Sequence, residues 1–255
     1  MNESDQDILK RHSIEEEWHD GQISVKFTGS NFYKMGALDA ANQYAWELVG
    51  QLSGKTAIDF GCGRGEYSLE LARRGATVYS FDISTEMVKA TQKAALAHGF
   101  SGKITAEKMA GENLKYPDNF ADLVFGHSVL HHTELKLSRD EIHRVLRPKG
   151  RAVFLEPLAH NPLISIFRKV TPSRRTPTEK PWLFSDVSFF SEPFCNVRHR
   201  EFYFLALAAF MFSALGNERL FRGAMERLSR LDGKLFSIWP ALRRYAWVTV
   251  IEVTK

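Results

Sequence analysis

Lys55-Thr-Ala-Ile-Asp-Phe-Gly-Cys-Gly-Arg-Gly-Glu66 is the stretch whose reading decides the fold of this 255-residue chain. A β-compatible run leads into Asp59, glycines follow at 61, 63 and 65, and residues 66–74 read as a helix that begins at once. Strand, glycine turn and helix together let backbone approach a ligand without Cβ obstruction, at the positive end of a helix dipole. A second strand-like run, residues 77–81, ends in Asp82, 23 residues after Asp59. At that distance a carboxylate on the neighbouring parallel strand meets ribose hydroxyls.

The loop spacing narrows the ligand. A dinucleotide fingerprint reads G-x-G-x-x-G, its glycines clearing room for a pyrophosphate. Here the loop reads G-x-G-x-G, with Glu66 where the third glycine would stand. An acid two residues before the first glycine repels a pyrophosphate but suits an ammonium, met directly or through water. Asp59 and Asp82 together thus fit a ligand with a cationic amino-acid end and a ribose. The segment resembles motif I of the class I S-adenosylmethionine-dependent methyltransferases, in their UbiE/type-11-like, small-molecule branch. S-adenosylmethionine is the cofactor this resemblance implies. A nicotinamide-linked oxidoreductase is the weaker alternative.

The resemblance continues over about residues 50–157. Cys62 sits among the glycines as a small side chain. Ile83 is where the family places an apolar contact with adenine, and Met87 is a further candidate beside the alternative of a core methionine. Residues 110–118 resemble the family's acidic loop, but Ala110 replaces the aspartate that holds the adenine amino group. Backbone at Gly111 and Glu112, with Asn113 alongside, is expected to take that role. The fourth strand, residues 121–127, points His127 and Ser128 at the cofactor, and Arg144-Val-Leu-Arg-Pro-Lys-Gly150 resembles the family's turn into the fifth. The implied fold is α/β and Rossmann-like, a seven-stranded, mostly parallel sheet whose last strand is antiparallel. One integrated domain is expected: an N-terminal helical cover (1–54), the cofactor-binding core (55–157), and a lid, insertion and last two strands (158–255).

Composition sets outer bounds. A hydrophobic content of 44% supports a sizeable core, and a net charge of +4 is too small and scattered to argue for nucleic acid. Two cysteines, Cys62 and Cys195, make no disulfide framework, which fits a reducing compartment. The first ten residues carry no secretory pattern, and the longest uncharged apolar run, residues 202–216, is short for a membrane span. A cytoplasmic protein is expected, with peripheral membrane contact as a variant of that reading.

Two helices are expected ahead of the first strand, over residues 7–20 and 33–52. They either cover the sheet or fold over the cofactor, with His19, Asp20 and Tyr33 as closing residues. Methyl transfer from a sulfonium needs alignment, desolvation and, for a hydroxyl acceptor, a base matched to neutral pH. His127, His131, His132 and His160 cluster near predicted strand ends, with Glu156 beside them. His132 and His160 are the candidate bases, although His131 and His132 equally suit a structural pair and transfer without a base stays open. No set has the spacing of metal ligands, so no metal is assigned.

The acceptor is read from the C-terminal third. Residues 158–184 form a long lid carrying Arg168, Lys169, Arg174, Arg175 and Lys180, which either hold a phosphate or carboxylate or simply face solvent. Residues 202–212 are aromatic-rich and precede Arg219, Arg222, Arg227 and Arg230. They read as core, or as an apolar pocket or membrane-touching patch for a lipid-like acceptor. Methylation of an O or N atom of a small, lipid-like or anionic acceptor is therefore expected, without nucleic acid. Alternatives are a non-catalytic cofactor-binding module and a methyltransferase acting on RNA or protein.

Overall fold

The computed structural model describes residues 5–22 and 36–255, so the start of the helix expected over 33–52 and the closing role of Tyr33 lie outside the described residues. Helices α1 (Asp5–Gln22) and α2 (Asp39–Val49) precede strand β1 (Thr56–Phe60). Then come α3 (Glu66–Arg73), β2 (Thr77–Asp82), α4 (Thr85–Ala97), β3 (Ile104–Lys108) and β4 (Ala121–His127). A 3-10 turn (Leu130–His132) leads to α5 (Leu135–Val145) and β5 (Leu146–Pro157). The chain continues through α6 (Pro162–Val170), α7 (Phe184–Ser191), β6 (Asn196–Phe202), α8 (Phe210–Ala214), α9 (Glu218–Ile238) and β7 (Val248–Thr254).

Seven strands form one sheet in the order β3-β2-β1-β4-β5-β7-β6. The pairs among β1 to β5 are parallel, and β7 runs antiparallel to both β5 and β6. This is the expected Rossmann-like architecture with its antiparallel last strand. Strand order reverses between β1 and β4, and a crevice outside the carboxyl ends of strands at such a switch point is where open α/β sheets bind ligands. Burial on both faces explains why the central strands read as continuous apolar runs. Leu123, Phe125, Val153 and Leu155 pack with α2 and α3, while Ile58, Val124, Ala152 and Phe154 face the α5 and α7 side.

Two local signals shape the C-terminal third. Asn161 caps α6: its Oδ1 accepts from the amides of Leu163 (3.0 Å) and Ile164 (3.1 Å), and Pro162 stands at the first helical position. The lid expected to be irregular therefore contains a helix, because Asn-Pro ahead of an apolar run is a helix start. Between β6 and β7 the buried Asp232 of α9 accepts from the amides of Phe204 (2.9 Å), Leu205 (2.8 Å) and Ala206 (3.2 Å). That carboxylate pins the aromatic-rich run, most of which is core, as Tyr203, Ala206, Leu207 and Ala209 are buried.

Phe154 is the keystone of the α5 and α7 face. It is fully buried, its ring meets Phe60 and Phe190 edge-on at 5.7 Å each, and it fills the space that a side chain at Gly126 would need. Truncation leaves a cavity that such a framework refills poorly. Phe154→Ala is expected to lower unfolding free energy by about 3–5 kcal/mol, read from urea midpoints at unchanged slope.

Candidate functional site

The glycine loop is built by three left-handed residues, Gly61 (φ 73°), Gly63 (φ 52°) and Gly65 (φ 86°). It is stitched to β2 by the Cys62 amide, which donates to Phe81 O at 2.8 Å. A Cβ on Gly61 would sit 2.4 Å from Val129 Cγ2, whereas one on Gly63 would meet nothing, so Gly63 faces open space. Asp82 closes the same turn. One carboxylate oxygen accepts from the Gly63 amide and the other from the Ser84 amide, both at 2.9 Å. Each oxygen keeps a lone pair for a further donor.

A cleft of about 240 Å³ opens over these strand ends. Gly61, Cys62, Gly63, Asp82 and Ile83 line it from β1 and β2, and Gly111 and Glu112 from the loop after β3. His127, Ser128 and His132 complete the far wall. His127 stacks on Tyr67 at 4.6 Å and bonds Asn42 Oδ1 at 3.0 Å, and burial pushes it down to about 4, so it is neutral at pH 7. Glu112 is fully engaged: one oxygen takes the Glu134 amide at 2.9 Å and the other meets His12 Nε2 at 3.1 Å.

Four predicted site residues stand elsewhere. Asp59 is buried beneath the loop, accepting from Ser68 Oγ at 2.5 Å, and does not line the cleft. Its strand alternates faces, so an inward-pointing residue at this step lies under the turn. Met87 is buried in the first turn of α4, and Asn113 is exposed. His160 is exposed at the surface start of α6, where Asp186 is a neighbouring charge, so it lies outside the cleft. Chain direction after Pro157 explains this, since Leu158 bridges to Trp182 before the backbone reaches His160.

Helix α1 supplies what periodicity alone did not reveal. His12, Glu15 and His19 face the cleft at helical spacing. Asp20 Oδ1 accepts from Ser84 Oγ (2.5 Å) and the Glu86 amide (3.2 Å), which ties α1 to the start of α4. The signal was present as Glu15 and His19 four residues apart, the spacing that aligns two side chains on one helical face.

The turn after β4 is held by Glu156. This fully buried carboxylate accepts from the amides of Val129 (3.0 Å) and Leu130 (2.8 Å) and bonds His131 Nδ1 at 2.7 Å. Ser128, just ahead, has φ 55°, a left-handed value rare outside glycine and typical of functional turns. Ser128 lines both the cleft and a second cavity of about 380 Å³, and so stands in the wall between two neighbouring spaces. His131 faces the second cavity and His132 the first. Burial holds His131 well below its ordinary value, to about 3, which leaves it neutral.

Burial, opposed by the Ser68 bond and reinforced by Asp82, pushes the Asp59 carboxyl up to about 7. Folded Asp59 thus holds a proton that the unfolded chain releases near pH 4, and stability falls as pH rises from about 4 to about 7. Asp59→Asn removes this group's share of that fall. Stability of the variant between pH 5 and pH 8 is expected to decline less than that of the parent, by about 2–4 kcal/mol, in parallel urea titrations.

Residues 58–154 match the family model of a methyltransferase domain. The chain is 35% identical over 122 residues to a ubiquinone biosynthesis O-methyltransferase of Nitrosomonas europaea, covering 47% of this chain and 50% of that protein. It is 33% identical over 108 residues to a 2-phytyl-1,4-naphtoquinone methyltransferase of Nostoc punctiforme, covering 41% and 47%. The chain thus spans about half the length of the curated relatives it matches. Among solved structures, geranyl diphosphate C-methyltransferase from Streptomyces coelicolor superposes with a TM-score of 0.63 at 13% identity, covering 96% of this chain and 97% of that one. At that identity the likeness concerns the fold alone. The strand order, the glycine turn with its paired carboxylates and the family match agree that residues 58–154 are a methyltransferase domain of the class I S-adenosylmethionine-dependent kind.

Proposed function

We propose that this chain transfers a methyl group from S-adenosylmethionine to an O or N atom of a small acceptor that joins an apolar body to an anionic group. The observation that carries the proposal is the second cavity beside the cofactor cleft, with Ser128 in the wall of both. Methyl transfer needs the acceptor atom in line with sulfur and carbon, and a cavity beside the cofactor cleft is where an acceptor can be held for that approach.

The cleft fits the cofactor by its donor set. Asp82 offers free lone pairs to a vicinal diol, Gly63 leaves room for close backbone approach, and Ile83 and Met109 give apolar walls suited to a purine. Glu66, exposed and lining the cleft, is the carboxylate free to meet an ammonium, with buried Asp59 acting on the loop from beneath. When bound, S-adenosylmethionine supplies an already activated methyl group. The chain's own part is to align, dehydrate and, for a hydroxyl, accept a proton.

The second cavity supports the acceptor class. Leu163, Ile164, Phe167, Leu207, Phe210 and Trp247 give it apolar walls. Arg168, Arg174 and Arg175 face Glu179 across its rim. Arg168 and Arg175 lie 2.6 and 3.2 Å from Glu179, while Arg174 makes no ion pair among the described residues. Three guanidinium groups against one carboxylate leave a net attraction for phosphate or carboxylate. Leu163, Ile166 and Val170 of α6 are 56, 60 and 70% exposed on one face, which supports an acceptor with a long apolar portion arriving at this side. His131 faces the cavity as a neutral imidazole, suited to hydrogen-bond the acceptor rather than to act as a strong base. Its Nδ1 is committed to Glu156, and its Nε2 lies near Glu179 of the cavity.

Asp82→Ala is expected to weaken S-adenosylhomocysteine binding about 10–100-fold in calorimetry, the range for losing charge-assisted hydrogen bonds. Incubation of the protein and a metabolite extract with deuteriomethyl-labelled cofactor is expected to label an apolar, anionic small molecule, detected by mass spectrometry. Label confined to purified RNA or protein would replace this reading with a macromolecular acceptor.

A further inference from the structure

The densest group of ligating side chains lies where α1 meets the turn after β4. Glu15 and His19 project from α1 towards His132, and all three line the cleft. Glu15 Oε2 is 3.0 Å from His132 Nδ1 and 3.5 Å from His19 Nε2, and the three atoms lie within 4.8 Å of one another. Glu15 is only 3% exposed. Its Oε1 accepts from the hydroxyls of Thr176 (2.9 Å) and Thr178, which fixes the carboxylate plane. Its Oε2 is buried without a hydrogen bond, because His132 Nδ1 is aligned with Thr176 Oγ1 at 3.2 Å instead. A buried carboxylate oxygen flanked by two imidazole nitrogens, with its other oxygen fixed by two hydroxyls, is a carboxylate-imidazole cluster of the kind that ligates a cation.

We propose that Glu15, His19 and His132 bind one divalent transition-metal cation of the Zn2+ type, with a fourth coordination position open to the cleft. Tetrahedral coordination with bonds of about 2.0–2.1 Å sets ligand atoms about 3.3 Å apart. The two edges from Glu15 Oε2, 3.0 and 3.5 Å, bracket that value, and the two imidazole nitrogens lie within 4.8 Å of each other, so small ring rotations complete the set. Two imidazoles and one carboxylate select Zn2+, Co2+ or Ni2+ over Mg2+ and Ca2+, which prefer all-oxygen sets. A neighbouring set, His131, His132 and Glu179, is less suited, since Arg168 and Arg175 already neutralise Glu179.

Such a cation would fasten α1 across the cleft and present a Lewis-acidic position to whatever enters it. The site shares the cleft with the methyl-transfer reading, since all three residues line it, although Glu15 and His19 come from α1, outside the matched residues 58–154.

The test uses the full chain stripped with chelator and dialysed against Zn2+ or Co2+. One cation per chain by elemental mass spectrometry, with the intense visible bands of tetrahedral Co2+, is expected. Glu15→Gln and His19→Ala, each checked for folding by circular dichroism, are expected to weaken binding by more than about 100-fold, beyond what loss of an outer partner does. The exposed His98→Ala should bind as the parent does. Absence of stoichiometric uptake by the parent, or uptake that both ligand variants retain, overturns the proposal. Calorimetry with S-adenosylhomocysteine on the same samples reports the nucleotide site separately.

Discussion

The buried carboxylate of Glu156 is the constraint on which the site depends. It lies at the end of β5, out of contact with water, and offsets its burial by gathering backbone amides and the His131 ring. An uncompensated charge there would be expensive, so the turn after β4 has little freedom to rearrange. That turn carries Ser128 between the two cavities and sends His131 and His132 in different directions. Burial still raises the Glu156 carboxyl to about 7 despite its amide partners, a sign that desolvation outweighs the hydrogen bonds it gains.

Around this clamp the sheet supplies rigidity and the helices supply chemistry. β1 and β2 present the glycine turn and Asp82, and the face packed by Phe154 keeps Gly126 free of a side chain so that β4 can approach closely. Arg151 adds a brace at the opposite end, donating to the carbonyls of Leu48 (2.7 Å) and Val49 (2.6 Å) where α2 finishes. A cation against the last carbonyls of a helix satisfies acceptors that have no partner within the helix and complements its dipole.

How much of this was legible in the sequence follows from separation along the chain. The glycine turn and Asp82 could be read because consecutive residues make them and turn chemistry is local, whereas the mostly parallel sheet with its antiparallel last strand came with the family resemblance. The cleft-lining positions Ile83, Gly111 and His127 followed from the ends of those strands. Asp59 was readable as part of the turn but not as a residue beneath it, since only the fold shows Ser68 taking its oxygen. His160 seemed to follow β5 into the site, yet the chain leaves along the surface to begin α6. His131 was undervalued because its partner Glu156 lies 25 residues away, and nothing local announces that bond. The lid helix was announced, by Asn161 and Pro162, in a stretch whose prolines and charges suggested irregular structure.

Helix α1 is fastened over the cleft almost wholly by charged and polar contacts. Asp20 holds the start of α4, Glu16 meets Lys108, Arg11 and His12 meet Glu112, and Glu15 meets His132. Apolar packing resists dissolved salt, whereas contacts of this kind yield to it where solvent reaches them. Most of these pairs are buried, so dissolved salt reaches chiefly the exposed Glu16–Lys108 contact, and α1 rests on the cleft through a largely shielded polar seam.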